Sequence, residues 1–412
     1  MAQQWRRQGF GCISVLEVLR SGAWLTPSRL KIYPRLLLAA FLLSALAILA
    51  GGEGGRDLRG KPLGTDFMFF YAASFETLKG QPERVYDPVR QSEVQSLIPG
   101  KAHEAPYYAW HFPPTILLLI TPLALLPYLP SLALWLGATL LACWAAGRSI
   151  FADSRILLGC AAFPGLFINA MNGQSGFLTA ALFGGALTVL DRRPWLAGLL
   201  IGLLSCKPQF GLLIPLALIA GGRWRAFWFA ACFSLALAAL SGMVYGAEVW
   251  RAFQNSLATT ERLLLSQGAI DFAKELSLFG FVRHWGGGEG LAWAVQGLLA
   301  LWAAFVVFRL WSSAASFEDK ASALILGSLL ATPHLVDYDL ILLGIVLLFL
   351  VRQGIQSGFR PWEVSLLASL WLLPLVARSS GFLGLPLAPL AEGALLWAVW
   401  QGWRLPGRPI RV

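Results

Sequence analysis

Leu36-Leu37-Leu38-Ala39-Ala40-Phe41-Leu42-Leu43, within the apolar stretch 34–50, contains no polar residue and no alternation of apolar and polar positions. Backbone groups in lipid must be satisfied internally, which leaves a helical bundle or a closed barrel. A barrel strand alternates lumen-facing polar with lipid-facing apolar residues, and this stretch does not. It reads as a membrane helix. Comparable apolar blocks follow at 113–127, 130–147, 155–170, 175–190, 194–206, 208–221, 225–245, 290–311, 321–334, 339–352, 362–377 and 385–402. The expected fold is an all-α polytopic membrane bundle with about 10–13 membrane helical segments.

Composition agrees. Of 412 residues, 57% are hydrophobic and 13% charged, with mean hydropathy +0.64. An average soluble domain carries about 25% charged residues. The net charge of +10 does not indicate a nucleic-acid partner, because the basic residues cluster at the ends of apolar blocks, as orientation signals do. Cys12, Cys143, Cys160, Cys206 and Cys232 show no Cys-x-x-Cys spacing, so neither a metal site nor a disulfide framework is indicated. Residues 1–33 lack a cleavable signal pattern and read as a cytoplasmic tail, 34–404 as a single transmembrane domain, and 405–412 as a second cytoplasmic tail.

Basic residues at Arg29, Lys31 and Arg35, at Arg192 with Arg193, at Arg223 with Arg225, at 309–320, at 352–360 and at 404–411 mark inner ends. The loop 51–111, and 246–289 after it, then face outward. Arg148 and Arg155 fit this scheme only if block 113–127 is re-entrant or half-inserted. Several blocks are shorter than the ~20 residues of a full crossing. Pro113-Pro114, Pro122 and Lys207-Pro208 within them point to a cavity that receives loose backbone. In the first loop, residues 66–79 read as an amphipathic helix begun by Thr65 or Asp66 and ended by Gly80, with a second short helix reaching Leu97. Tyr107 to Pro114 reads as an aromatic belt at the bilayer.

Polar residues at membrane boundaries carry the candidate chemistry. Asp66 can cap its helix or act as a general base, and a helix N-terminus would favour its ionised form. Lys207 can snorkel to an interface or contact a phosphate. Asn169, Asn172 and Gln174 can connect two helices or bind sugar hydroxyls. In Thr332-Pro333-His334-Leu335-Val336-Asp337-Tyr338-Asp339, His334 can donate to a phosphate with an aspartate orienting it. The Asp-x-Asp pair also suggests a divalent metal, and the acids can instead cap an interhelical turn. His111 and Arg283-His284 are lesser candidates. No P-loop, nucleophile elbow or dinucleotide fingerprint is present.

Several motifs occur in order: Thr65-Asp66-Phe67 with Tyr71-Ala72-Ala73, Gly80-Gln81-Pro82, Val85-Tyr86-Asp87, Phe112-Pro113-Pro114 and 121–127. Asn172-Gly173-Gln174, Ala197 to Gly202, Lys207-Pro208-Gln209 and His334 with Asp337-Tyr338-Asp339 follow. This constellation resembles glycosyltransferase family 87, the polyprenyl-phosphate-mannose-dependent mannosyltransferases of the GT-C superfamily. Phe112 stands where the family pattern has tyrosine, and the long basic N-terminus is outside the pattern.

The resemblance implies an inverting hexosyltransferase of the plasma membrane, acting at its outer face. Its donor would be a polyprenyl-phosphate sugar, with mannose as the expected hexose, and its acceptor a glycolipid or glycan. Asp66 carries over as the base, and Lys207 and His334 as donor-phosphate ligands. Tyr71, Asn172, Gln174, Gln209, Asp337 and Asp339 are the expected substrate-binding residues, with no cofactor and no metal ligand. The expected partners are donor, acceptor and membrane lipids. The alternatives are a transporter or flippase of lipid-linked glycans, which would show an internal repeat of interrupted helices, and a non-catalytic scaffold.

Overall fold

The computed structural model describes residues 15–51, 55–57, 61–98, 110–261 and 271–402. The expected C-terminal tail, and residues 1–14 of the expected N-terminal tail, lie outside the described residues. Six helices are long and apolar enough to cross a membrane: Pro27–Ala50, Tyr128–Ile150, Trp224–Tyr245, Glu289–Trp311, Asp337–Ser357 and Glu363–Phe382. Ser154–Ala161 and Pro164–Asn172 are an apolar pair bent by 48° at a short break, a broken span or a re-entrant loop. Shorter apolar helices cover Pro114–Leu125, Gly176–Val189, Pro194–Leu204, Pro208–Ala220 and Leu387–Trp400. The architecture is the polytopic helical bundle expected of the GT-C type.

The first membrane helix starts seven residues earlier than hydropathy suggests. Thr26 accepts from the Arg29 amide and Pro27 occupies the first turn, a combination that starts a helix without any apolar requirement. Pro34, read as the boundary, lies inside the helix.

The helices run between two ends of the bundle. At one end, Arg352 pairs with Glu318 at 2.9 Å and donates to the Ile150 carbonyl, Arg223 pairs with Asp191, and the Trp362 amide donates to the Arg20 carbonyl. At the other end lie Asp66, Gln174, Lys207, His334, Asp337 and Arg378. Block 113–127 is too short to cross. Its helical piece Pro114–Leu125 is about 18 Å long even if fully α-helical, short of a ~30 Å hydrocarbon core. It stays at the Asp66 end, where Tyr128 at the head of the next span donates to the Leu63 carbonyl at 2.8 Å.

Among the described residues two large cores and a small cluster around Phe279, Val282 and Ala292 hold the molecule together. The larger surrounds the buried Phe317–Ala331 helix, which packs against Glu289–Trp311, Leu342–Ser357 and Leu387–Trp400. The smaller is built by the first loop. Its helix Phe67–Leu78 ends at Gly80 with φ +77°, a conformation that glycine adopts without strain, and Pro88–Ser96 follows, capped by Asp87. Phe67, Met68 and Phe70 are wholly buried, each contributing about 1.5–3 kcal/mol. Trp110 and Phe112 belong to this core. They stack around Phe69 and Phe70 at centroid distances of 5.0–6.0 Å and do not form a lipid-facing belt. Their aromatic type suits either place, and the helix beneath them decides. Tyr107 to Ala109 of the expected belt lie outside the described residues.

Candidate active site

Glycines bring the site together. Gly64 and Gly173 both have positive φ, and a Cβ added to Gly173 would meet Phe67 Cβ at 2.7 Å and Gly64 Cα at 3.1 Å. Only with hydrogen at these positions can the loop before Phe67 lie against the turn at 172–174. The Asp66 amide then donates to the Asn172 carbonyl at 2.9 Å, and Gln174 Nε2 donates to Asp66 Oδ2 at 3.2 Å. The Gln174 Oε1 accepts from the Ser175 amide at 2.7 Å and from its hydroxyl at 3.1 Å. Both ends of that amide are fixed, and its N–H is aimed at Asp66.

Asp66 stands at the N-cap position of Phe67–Leu78 but its side chain caps no amide. The expectation that a helix N-terminus keeps it readily ionised is therefore corrected. Burial pushes its carboxyl up from 3.8 to about 6. The Gln174 hydrogen bond opposes the shift, nearby Asp337 adds to it, and Arg378 and Lys207 oppose it. A carboxylate raised to this value is a stronger base, yet it is still about nine-tenths ionised at neutral pH.

Lys207 is 4% exposed and does not snorkel. Its Nζ lies 2.8 Å from Asp339 Oδ1, with the rings of Tyr338, Phe210 and Phe112 at 5.2, 5.6 and 6.0 Å. A carboxylate and three π faces thus stabilise a cation withdrawn from water. Arg378, on Glu363–Phe382, donates from Nη2 to Asp337 Oδ1 at 2.8 Å, and its buried Nε has no hydrogen-bond partner among the described residues. The two acids of the Asp-x-Asp pair are each committed to a protein cation.

His334 Nδ1 lies 2.7 Å from Glu275 Oε1. Burial lowers its pKa, but the charge and hydrogen bond of Glu275, with a contribution from Asp339, outweigh that and Lys207, so the net shift is upward from 6.5. His111 is within electrostatic reach of His334 and is pushed the other way by burial, down to about 3. At neutral pH one imidazole is held toward its cation and the other is neutral.

Not every expected substrate ligand faces an open position. Tyr71 donates its hydroxyl to the Leu126 carbonyl at 2.8 Å. Asn172 donates to the Ile168 carbonyl at 2.8 Å and accepts from Thr65, and Asn169 accepts from the Gly176 amide at 2.9 Å. For the two asparagines this is the connecting role open to them from the start. Gln209 is half-buried one residue into the Pro208–Gly211 turn of helix. Arg378 and Glu275 were not singled out in the sequence. The signal for Arg378 is a lone arginine at the end of an apolar helix opposite its basic end, an exception to the positive-inside pattern. Glu275 sits in Asp271-Phe272-Ala273-Lys274-Glu275, a mixed loop with no periodicity to mark it.

Fold and site together define an integral membrane protein with charged groups gathered at one end of its helical bundle. The model of glycosyltransferase family 87 matches residues 110–333, just over half of the chain, and the chain belongs to that family. It is a membrane glycosyltransferase. The matched segment contains Gln174, Lys207 and Glu275, while Asp66, His334, Asp337, Asp339 and Arg378 join the site from outside it. No curated protein and no solved structure matches the chain.

Proposed function

We propose that the chain transfers a hexose, with mannose the expected sugar, from a polyprenyl-phosphate sugar to a hydroxyl of a glycolipid or glycan at the outer face of the plasma membrane, with inversion. Asp66 takes the proton of the attacking hydroxyl. The new bond forms between that oxygen and the anomeric carbon as the carbon–phosphate-oxygen bond breaks, and the electron pair leaves with polyprenyl phosphate. The departing phosphate needs no proton to be a good leaving group, so the remaining requirement is positive charge near it. Lys207, Arg378 and His334 supply that charge.

One observation carries this reading. Of the acids that converge here, Glu275, Asp337 and Asp339 each hold an ion pair, whereas among the described residues the Asp66 side chain has an amide donor and no cation bonded to it. It is the acid free to take a proton. The outer-face assignment is supported by the basic residues Arg20, Arg223, Arg352 and Arg360 gathered at the opposite end of the bundle.

The test is transfer by the purified protein in lipid from a panel of labelled polyprenyl-phosphate hexoses, with nucleotide sugars in parallel. Transfer from at least one lipid-phosphate sugar, with mannose preferred, is expected. Transfer from nucleotide sugars alone would overturn the donor class.

A further inference from the structure

We propose that Glu275 is a positioning residue for the transfer, holding His334 by Nδ1 so that the opposite ring nitrogen and the positive charge of the imidazole are presented to the donor phosphate. This inference rests on the proposed role of His334, and it gives the segment from Asp271 to Ser277 a part in the reaction.

The geometry is specific. Glu275 is 1% exposed, and its Oε1 lies 2.7 Å from His334 Nδ1. With Nδ1 bound, Nε2 is the nitrogen left for a ligand. The backbone on both sides is tied to the histidine turn. The Leu276 amide donates to the Leu335 carbonyl at 2.7 Å, and Ser277 Oγ donates to the Pro333 carbonyl at 2.5 Å. The Thr332 hydroxyl donates to the His334 carbonyl at 3.0 Å, closing the turn from the other side.

Two glycines let the Glu275 segment reach this position. A Cβ at Gly280 would collide with Glu275 Cβ, and one at Gly381 would collide with the Ala273 carbonyl. Gly381 lies one helical turn beyond Arg378 on Glu363–Phe382. The same helix therefore carries Arg378 into the site and backs the turn that carries Glu275.

A buried carboxylate this close to an imidazole does two things. It fixes the ring, and it opposes the loss of the ring's proton. The charged and titratable groups around His334 are Glu275 and Asp339, which raise its pKa, Lys207, which lowers it, and His111. Glu275 contributes more of the upward shift than Asp339 does. Removing the Glu275 charge leaves burial and Lys207 with little to oppose them.

Glu275→Gln separates charge from geometry, since its amide oxygen can still accept from Nδ1–H. The experiment follows kcat/KM for transfer against pH, together with a ¹⁵N-histidine NMR titration of His334 in nanodiscs, identified by its loss in His334→Ala. In Glu275→Gln the alkaline limb of the profile and the His334 titration should both move down by about 1–3 pH units, the usual influence of an adjacent opposite charge. Glu275→Asp keeps the charge and should restore most of the wild-type profile. If His334→Ala impairs transfer while Glu275→Gln leaves both titrations in place, Glu275 has no positioning role and only this inference falls. If His334→Ala leaves transfer and donor binding unchanged, the role of His334 itself falls, and the inference with it.

Discussion

Replacing Asp66 with asparagine should remove activity while leaving the protein at least as stable. The side chain caps no helix amide, so no cap is lost. Its Gln174 Nε2 donor at 3.2 Å finds an amide oxygen of the same reach. Keeping Asp66 ionised has an energetic cost, because its pKa is raised from 3.8 to about 6. A group whose folded pKa lies above its unfolded one binds its proton more tightly when folded. The penalty is therefore absent below about pH 4, grows as the pH rises between the two values and is complete above about 6. At neutral pH it amounts to at most about 3 kcal/mol, reduced by the partial exposure of the site. An uncharged amide escapes it. Transfer should meanwhile fall by ~10²–10⁴-fold, the usual contribution of a positioned base. The wild-type rate should fall about tenfold per unit as the pH drops below 6, and the residual rate of Asp66→Asn should lack that limb. The assay pairs product formation and donor binding with thermal unfolding in one lipid preparation. Normal transfer with asparagine at 66, together with a lowered unfolding temperature, would make Asp66 a structural residue and refute the reasoning.

Lys207→Ala should reduce transfer by the equivalent of ~2–4 kcal/mol in the transition state. It also leaves Asp339 buried without its cation, so it must be compared with Lys207→Ala/Asp339→Asn, which removes both charges. Transfer should remain impaired in the double variant, and full recovery there would show that Lys207 only neutralises Asp339. Val89, 70% exposed on the first loop, should accept an impermeant thiol reagent in intact cells when changed to cysteine in a background lacking the five native cysteines. Labelling only after permeabilisation would place the site on the inner face.

Hydropathy was enough to read the bundle, because an apolar run must be buried in lipid or protein whatever its partners. The helix Phe67–Leu78 was legible through Gly80, whose positive φ ends it. What could not be read was which face of the first loop would be covered. Trp110 and Phe112 have a composition equally suited to a bilayer interface, and only the adjacent Phe69 and Phe70 place them in a core. The start at Pro27 was missed because a capped, proline-led turn needs no hydropathy. Gly64 and Gly173 stood inside the quoted motifs, but their close approach is a contact across more than a hundred residues and leaves no local trace.

The choice among the acids shows where sequence reading stops. Asp66, Asp337 and Asp339 are the same residue type near membrane boundaries, and nothing in their local sequence says which is poised to take a proton. Family resemblance selected Asp66. Tertiary pairing supports the same proposal, through partners that sequence spacing could not assign. Lys207 reaches Asp339 across 132 positions, and Arg378 reaches Asp337 across 41. Each pair already occupies its acid with a cation, and both cations also act on Asp66. Buried ion pairs contribute little net stability against an apolar replacement, so packing alone does not account for them here. Their arrangement suits a site in which one acid must take up a proton while negative charge develops on a neighbouring phosphate.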